Sequence, residues 1–540
     1  MTLDLRPNTS DYLLADAEPG AVAVVEAGQR YTYGQLRSAA GRLAAGLAAL
    51  DLPPGSRVAV LGPNSLFWVA AYLAVMKLGH VAVPFSDRLT PDDIRRNMGV
   101  AGCSAVFADR RVLRRLPAAF DDEATVLTDE VPRWAREPHW PSPAPADPDA
   151  DAVLAFTSGT TARPKAVRVT HGNIQANTDS IITYLELRRD DRVLVILPFF
   201  YCYGASLLHT HLRRGGRVVL CNSFAFPEAA LDLLEREQCT VLAGVPSSFQ
   251  LLVRASTFAK RALPSLRLIQ QAGGKLPPVL IDELLVAKPA ATLFIMYGQT
   301  EATARLSYLP PGTLRRKPGS IGRGIPGVEL RVLNENGEQV RPGERGEIYA
   351  TGPNISPGYY QDPEASAAKF TTCGLRTGDL ALVDEDGDIF IVDRRDDFIK
   401  SWGHRVSSQE VEAAALRMEQ LVSAAVIGVP DDEAGEAITL FVTARPGCVV
   451  TPGEVLAVCR QHLPKYMVPR RVRVLDALPL NANGKVAKPR LREMAAARAE
   501  GPVMIAGAGG CASDSGPRKG EDARPAAAAR RLAIAPASPR

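Results

Sequence analysis

Short, uninterrupted apolar runs recur along the first ~390 residues: RVAVLG (57–62), HVAVPF (80–85), RVLVILPFF (192–200), RVVLCN (217–222), TVLAGVP (240–246), LRLIQQAGG (266–274) and TLFIMYG (292–298). Stretches with helical spacing, such as PEAALDLLEREQ (227–238), lie between them. Runs this short, alternating with helices, predict βαβ units and a parallel sheet covered by helices on both faces. From about residue 320 the pattern changes to VELRVL, GEIYAT, LALVDEDG and DIFIVD, separated by Gly- and Pro-rich turns. That change predicts a small antiparallel, barrel-like subdomain. A polar patch, DRRDD (393–397), then reads as a linker before a smaller α+β segment with the strands SAAVIGVP (423–430) and ITLFVTA (438–444). Beyond about residue 498 the chain is Ala, Gly, Pro and Arg with few large apolar side chains. Such a tail buries too little surface to offset its ordering entropy and is expected to be disordered. The predicted organisation is a large α/β domain over 1–392, a linker at 393–396, a small domain over 397–497 and a tail over 498–540.

Composition narrows the choice of partners. The chain has 540 residues, enough for two or three domains, and a net charge of only +4 with scattered basic side chains. Nucleic acid as the main partner needs a concentrated basic face, so it is excluded on this reading. Cys103, Cys202, Cys221, Cys239, Cys373, Cys448, Cys459 and Cys511 stand singly, without CxxC pairs or metal-ligand spacing. Reduced thiols and a cytoplasmic setting are expected. The apolar run LFWVAAYLAVM (66–76) is far short of the ~20 residues a membrane span needs, and MTLDLRPNTS does not read as a signal peptide.

Candidate chemistry begins at FTSGTTARPKAV (156–167). Thr157, Ser158, Gly159, Thr160 and Thr161 crowd hydroxyls and backbone N–H groups into a loop after an apolar strand, and Lys165 follows. Such a loop can wrap a polyphosphate while the lysine offsets its charge, although a Ser/Thr/Gly stretch alone also fits an ordinary surface loop. It is not a Walker loop, because GxxxxGK[ST] is absent. MYGQTEAT (296–303) sets Tyr297, Gly298, Thr300 and Glu301 at the C-terminal end of a strand, where open parallel sheets bind ligands. A tyrosine there can stack on a purine, and a carboxylate can hold the Mg²⁺ that accompanies ATP. LRTGDLA (375–381) presents Asp379, VDRRDDFIKSWGHRV (392–406) follows, and LPLNANGKVAK (478–488) presents Lys485 on a turn after a glycine.

In order and spacing these motifs resemble those of the acyl-adenylate-forming superfamily, which includes acyl- and aryl-CoA synthetases, adenylation domains of nonribosomal peptide synthetases and firefly luciferase. The resemblance runs from about residue 32 to about residue 492. It implies ATP-dependent activation of a carboxylic acid to acyl-AMP, then transfer to a thiol of coenzyme A or of phosphopantetheine on a free-standing carrier protein. It also implies that the loop 157–165 closes on the β- and γ-phosphates, that Thr300 contacts the α-phosphate, and that Glu301 coordinates Mg²⁺. Tyr297 and the adjoining Gly298 would lie against adenine, with Gly273 and Gly274 bordering the adenine and acyl clefts. Asp379 would take the ribose hydroxyls with Arg394 assisting, and Asp396 would be the hinge of a mobile small domain. Lys485 would reach the carboxylate and the α-phosphate during adenylation, and Gly403 would line a thiol tunnel after rotation. The need for Lys485 also has a physical basis, because adenylation brings two anions together and a positioned cation relieves that repulsion.

Two glycines of the family's phosphate loop are alanines here, Ala162 and Ala166. Alanine costs about 1 kcal/mol where φ must be positive and little elsewhere. In LPFFYCYGAS (197–206), relatives often carry a histidine at the position of Tyr201 or an aspartate that pairs an amino acid's ammonium; this chain has neither. A buried ammonium without a counter-charge is costly, so a standard α-amino acid is not expected. Phe199, Tyr201, Tyr203 and Gly204 are expected to border an acyl pocket, though such aromatics also fit a core. Arg305 either meets a second polar group on the substrate or pairs with a structural carboxylate. Two further readings are transfer of the acyl group to an amine or hydroxyl, and a non-catalytic nucleotide-binding homologue. The intact set Lys165, Glu301, Asp379 and Lys485 weighs against the second.

Overall fold

The computed structural model describes residues 8–120, 125–128, 141–142, 147–157, 164–222, 224, 226–394 and 398–497. Ser158, Gly159, Thr160, Thr161 and Ala162 of the loop, the hinge position Asp396 and the tail 498–540 lie outside them.

The apolar runs form strands where expected, each trimmed to the residues that reach a neighbour. A six-stranded sheet runs in the order 126–127, 103–108, 57–61, 81–85, 151–157, 165–170. It is parallel except for its last pair, in which Asp151–Thr157 turns back antiparallel along Lys165–Thr170. Helix Leu66–Lys77 starts on Ser65, whose side chain caps the Trp68 N–H, and it is buried almost throughout. That all-round apolarity marks it as a core helix between sheets. Among the described residues no helix is long and apolar enough to cross a membrane.

A second sheet carries the parallel strands 22–26, 217–220, 192–195, 241–244, 268–271 and 292–297 as neighbours in that order. Beyond Thr292–Tyr297 the same hydrogen-bonded path continues antiparallel through Ser307–Leu309, Ser320–Gly324, Ile389–Arg394, Gly374–Val383, Arg345–Thr351 and Glu329–Leu333. The short strands past residue 320 are therefore antiparallel, as their Gly- and Pro-rich turns predict. They are joined to the parallel sheet through its Tyr297 edge.

The small C-terminal domain holds a five-stranded sheet built on the long hairpin Leu421–Asp431 and Gly435–Ala444. Arg254, on helix Pro246–Ala255, is buried and reaches across to this part of the chain. It pairs with Glu283 and donates to the carbonyls of Leu416 (2.9 Å) and Leu421 (2.8 Å). Guanidinium groups carry enough donors to satisfy two carbonyls and a carboxylate at once.

Candidate active site

The two best-formed turns of the site need glycine for space. A Cβ at Gly298 would lie 1.9 Å from the Ala304 carbonyl oxygen, and one at Gly204 would lie 2.0 Å from the Pro198 oxygen. No side chain fits either place, so both backbones can approach as the site requires. After Gly298 the chain makes a short 3₁₀ turn, Thr300–Ala302, which leaves the strand end with Thr300 and Glu301 together. Asn354 ties this turn down by donating to the carbonyls of Ala302 and Arg305, and Thr303 donates to the Asn354 carbonyl.

Three clusters converge here. In the first, Tyr297 donates its hydroxyl to Asp379 Oδ2, and Arg394 Nε donates to Asp379 Oδ1 at 3.2 Å. Asp379 and Arg394 are register partners on adjacent strands, which explains why residues 15 positions apart meet. Burial and the Asp379 carboxylate push the Tyr297 phenol well above its ordinary value, so it stays a donor.

In the second, Thr157 and Lys165 face one another as register partners at the ends of their strands. The Lys165 ammonium lies 5.0 Å from the centroid of the Tyr359 ring, and the Tyr359 hydroxyl donates to Glu301 Oε1 at 2.8 Å. Burial and the Glu301 charge raise the Tyr359 phenol above its ordinary range. Tyr359 thus joins Lys165 to Glu301, a role that ISPGYYQDPE gave no reason to assign before folding. Lys369 is a second such addition. Burial lowers its pKa, opposed by the charges of Glu301 and Asp379, and it donates to the Thr377 carbonyl.

In the third, the turn 481–485 delivers Lys485. Asn481 Oδ1 accepts from the Lys485 N–H at 3.0 Å, and Ser247 donates to the Gly484 carbonyl at 2.5 Å, clasping the turn to helix Pro246–Ala255. The Lys485 ammonium stands 5.5 Å from the centroid of the Tyr201 ring. Its Cε and the Tyr201 hydroxyl both converge on Gly273, lying 3.4 and 2.9 Å from where a Cβ would sit. Burial, then the positive charge of Arg394, lowers the lysine's pKa, with Cys202 and Asp379 opposing. Gly274 lies beside Pro246 on the same rim. Thr300 donates to Cys202 Sγ at 3.5 Å, tying the strand-end turn to the helix that follows Tyr201.

The expected acyl-pocket aromatics divide. Tyr201 borders the cleft beside Lys485. Tyr203 is buried, donates to the Gln270 carbonyl at 2.7 Å and carries the Arg305 guanidinium 3.9 Å from its ring centroid. Phe199 is buried against Trp68, with ring centroids 5.2 Å apart, and also lines a cavity with Tyr72, Phe200, Cys202 and Thr303. Gly403 stands apart in a hairpin between Ile399–Ser401 and His404–Val406, with nothing within 4 Å of a Cβ there. Trp402 and Gly403 both have positive φ, 54° and 75°, the pattern of a two-residue hairpin turn. Ala166 lies in a strand, buried, with an N–H···O bond from Tyr360 to its carbonyl, so no positive φ is asked of it.

A strand-end site with a buried carboxylate, a tethered lysine and a cation beside a carboxylate is the layout of a nucleotide-activating ligase. Residues 14–360 match the AMP-binding enzyme family and residues 410–485 match the AMP-binding enzyme C-terminal domain. The chain belongs to this family, as an adenylate-forming enzyme of the acyl-CoA ligase type. It is 34% identical over 493 residues to a feruloyl-CoA synthase from Amycolatopsis sp, covering 88% of this chain and 96% of that one. O-succinylbenzoate coenzyme A synthetase from Bacillus subtilis, solved with ATP and a magnesium ion, superposes with a TM-score of 0.78 at 28% identity, covering 90% of this chain and 99% of that one. An amide bond synthetase from Marinactinospora thermotolerans superposes with a TM-score of 0.79 at 29% identity, covering 90% and 99%.

Proposed function

We propose that this enzyme uses ATP to activate a carboxylic acid and then transfers the acyl group to a thiol. In the first step a carboxylate oxygen attacks the α-phosphorus of ATP, the bond to the β,γ-phosphates breaks, and acyl-AMP and pyrophosphate form. In the second, a thiolate sulfur attacks the acyl carbon and AMP leaves. The observation that carries this reading is Lys485, held at the rim between Tyr201 and Gly273, where it can meet both anions of the first step.

The other roles extend the family resemblance. Asp379, fixed by Tyr297 and Arg394, accepts the ribose hydroxyls, while Tyr297 and Gly298 border the purine. Thr300 faces the α-phosphate, and the loop 157–165 with Lys165 takes the outer phosphates. Glu301 presents a carboxylate at the strand end, and an oxygen ligand of this kind would suit Mg²⁺. Bound there, Mg²⁺ would neutralise phosphate charge; Tyr359 sets the orientation of the Glu301 carboxylate. Asp396 serves as hinge between domains at 1–392 and 397–497, and Gly403 lines the thiol path after rotation. Thiols without disulfide partners among the described residues suit a cytoplasmic setting.

The thiol acceptor is coenzyme A or a carrier-borne phosphopantetheine. Likeness to an amide bond synthetase supports a second reading, in which an amine takes the acyl group. Acid-dependent exchange of labelled pyrophosphate into ATP over a panel of acids tests adenylation. Adding coenzyme A, a loaded carrier or an amine to the active acids then identifies the acceptor. No exchange with any acid would overturn the first step, and acyl-AMP release that ignores thiols would overturn the second.

A further inference from the structure

Arg305 is 1% exposed and among the largest fully buried side chains of the molecule. A guanidinium stays protonated in any protein setting, so burying one normally demands an acidic partner. Arg254 meets that demand with Glu283, and Arg267 with the buried Asp191. Among the described residues Arg305 forms no ion pair, and its Nε and Nη2 have no hydrogen-bond acceptor. Among the described residues, neutral side chains lie close to it: Tyr203 beneath it, Tyr184, which shares a hydrogen bond with it, and Tyr201 and Cys202 nearby. The ring face offers only part of the compensation a carboxylate would.

The placement gives the missing anion an address. Lys485 lies 5.5 Å from the Tyr201 centroid, Arg305 lies 3.9 Å from the Tyr203 centroid, and the two rings meet edge to face with centroids 6.3 Å apart. Two cations therefore bracket one pair of tyrosines, one at the reacting end and one deeper. Among the described residues no carboxylate pairs with Arg305, the other sequence-based expectation for it.

We propose that Arg305 receives a second, distal anionic group of the acid, so that the substrate is a dicarboxylic acid or an acid carrying an equivalent remote oxyanion. This rests on the adenylation reading for the role of the first carboxylate. The proximal carboxylate meets Lys485 and reacts; the distal one stays intact on Arg305 and fixes which end is activated. A carboxylate seated there supplies the counter-charge and the acceptors that Nε and Nη2 lack.

The test separates binding from turnover. Dicarboxylic acids of graded length and aryl diacids are titrated calorimetrically into the full chain, each beside its own monomethyl ester, and the same pairs are run in pyrophosphate exchange. At least one diacid is expected to bind tenfold or more tighter than its monoester. Arg305→Met should erase that preference through the acid's KM, with the KM for ATP unchanged, and Arg305→Lys should restore part of it. Without acid, Arg305→Met should melt at or above the wild-type temperature, because it removes an unpaired buried charge; a clear loss of Tm would reveal a structural role and overturn the proposal. Diacids binding no better than their monoesters would overturn it too, whether or not exchange occurs. Failure of the adenylation reading shows separately, as Arg305-dependent diacid binding without exchange.

Discussion

Two turns of the small domain invite comparison. The turn 481–485 is gripped from outside: Ser247 holds its Gly484 carbonyl, and Lys485 reaches Gly273 and Tyr201. Among the described residues the hairpin tip Trp402–Gly403 is held from its own domain, by the Ala434 carbonyl and by Arg470 lying 5.7 Å from the indole centroid. Trp402 is 53% exposed despite its size. One turn is engaged while the other waits, which is what a two-step ligase requires if each turn serves one step.

The comparison breaks most sharply at Lys485. Lys485→Ala should cut acid-dependent pyrophosphate exchange by about 10²–10³-fold, the cost of losing one preorganised charge-stabilising group. Thioester formation from preformed acyl-AMP should change little; equal loss in both assays would make the lysine structural. The same residue predicts a pH limb. Its lowered pKa means that the protonated, useful form is lost as pH rises through a value below the ordinary 10.5. Exchange should therefore fall on the alkaline side before pH 10.5, and Lys485→Arg, if active, should lack that limb.

The converse prediction concerns the waiting turn. Gly403→Leu should slow thioester formation by about tenfold while exchange stays within about twofold, since a side chain at that tip obstructs only the second partner. Rapid-quench measurement of each half-reaction checks it. Of similar or smaller size is Tyr359→Phe, which frees Glu301 from its hydroxyl donor and should raise the Mg²⁺ concentration for half-maximal exchange by about tenfold, as loss of an orienting partner does. The smallest effect is expected at Ala166→Gly. A strand residue gains nothing from glycine there, so the KM for ATP should stay within about twofold and stability should fall by about 1 kcal/mol. A marked fall in that KM would show that the loop is strained by alanine after all.

Local pattern made much of this legible before folding. The parallel strands, helix Leu66–Lys77 and the strand-end positions of Tyr297 and Glu301 follow from apolar runs and their boundaries, because short-range periodicity reports burial directly. Long-range partnerships were not legible. Nothing in the spacing of Lys165, Glu301 and Tyr359 says that they meet, and the pairing of Asp379 with Arg394 depends on strand register. Aromatic character alone could not say what each ring meets: Phe199 packs on Trp68 and also lines a cavity, while Tyr201 stands beside Lys485. That Arg305 meets no carboxylate among the described residues is likewise a property of its neighbours rather than of its motif.

Arg254 gives the engaged arrangement a lifetime. Its guanidinium holds the Leu416 and Leu421 carbonyls, so the proposed rotation of the small domain must surrender both bonds and recover them on every cycle. At about 1–1.5 kcal/mol apiece they would, if the small domain rotates as proposed, bias the resting population by roughly 30- to 150-fold toward the arrangement seen here. Water replaces them readily once the surfaces part, so the bias sets a waiting time without making a trap. The tempo of turnover would then be tuned by a residue that touches neither substrate, and the enzyme between meals rests ready for its next acid.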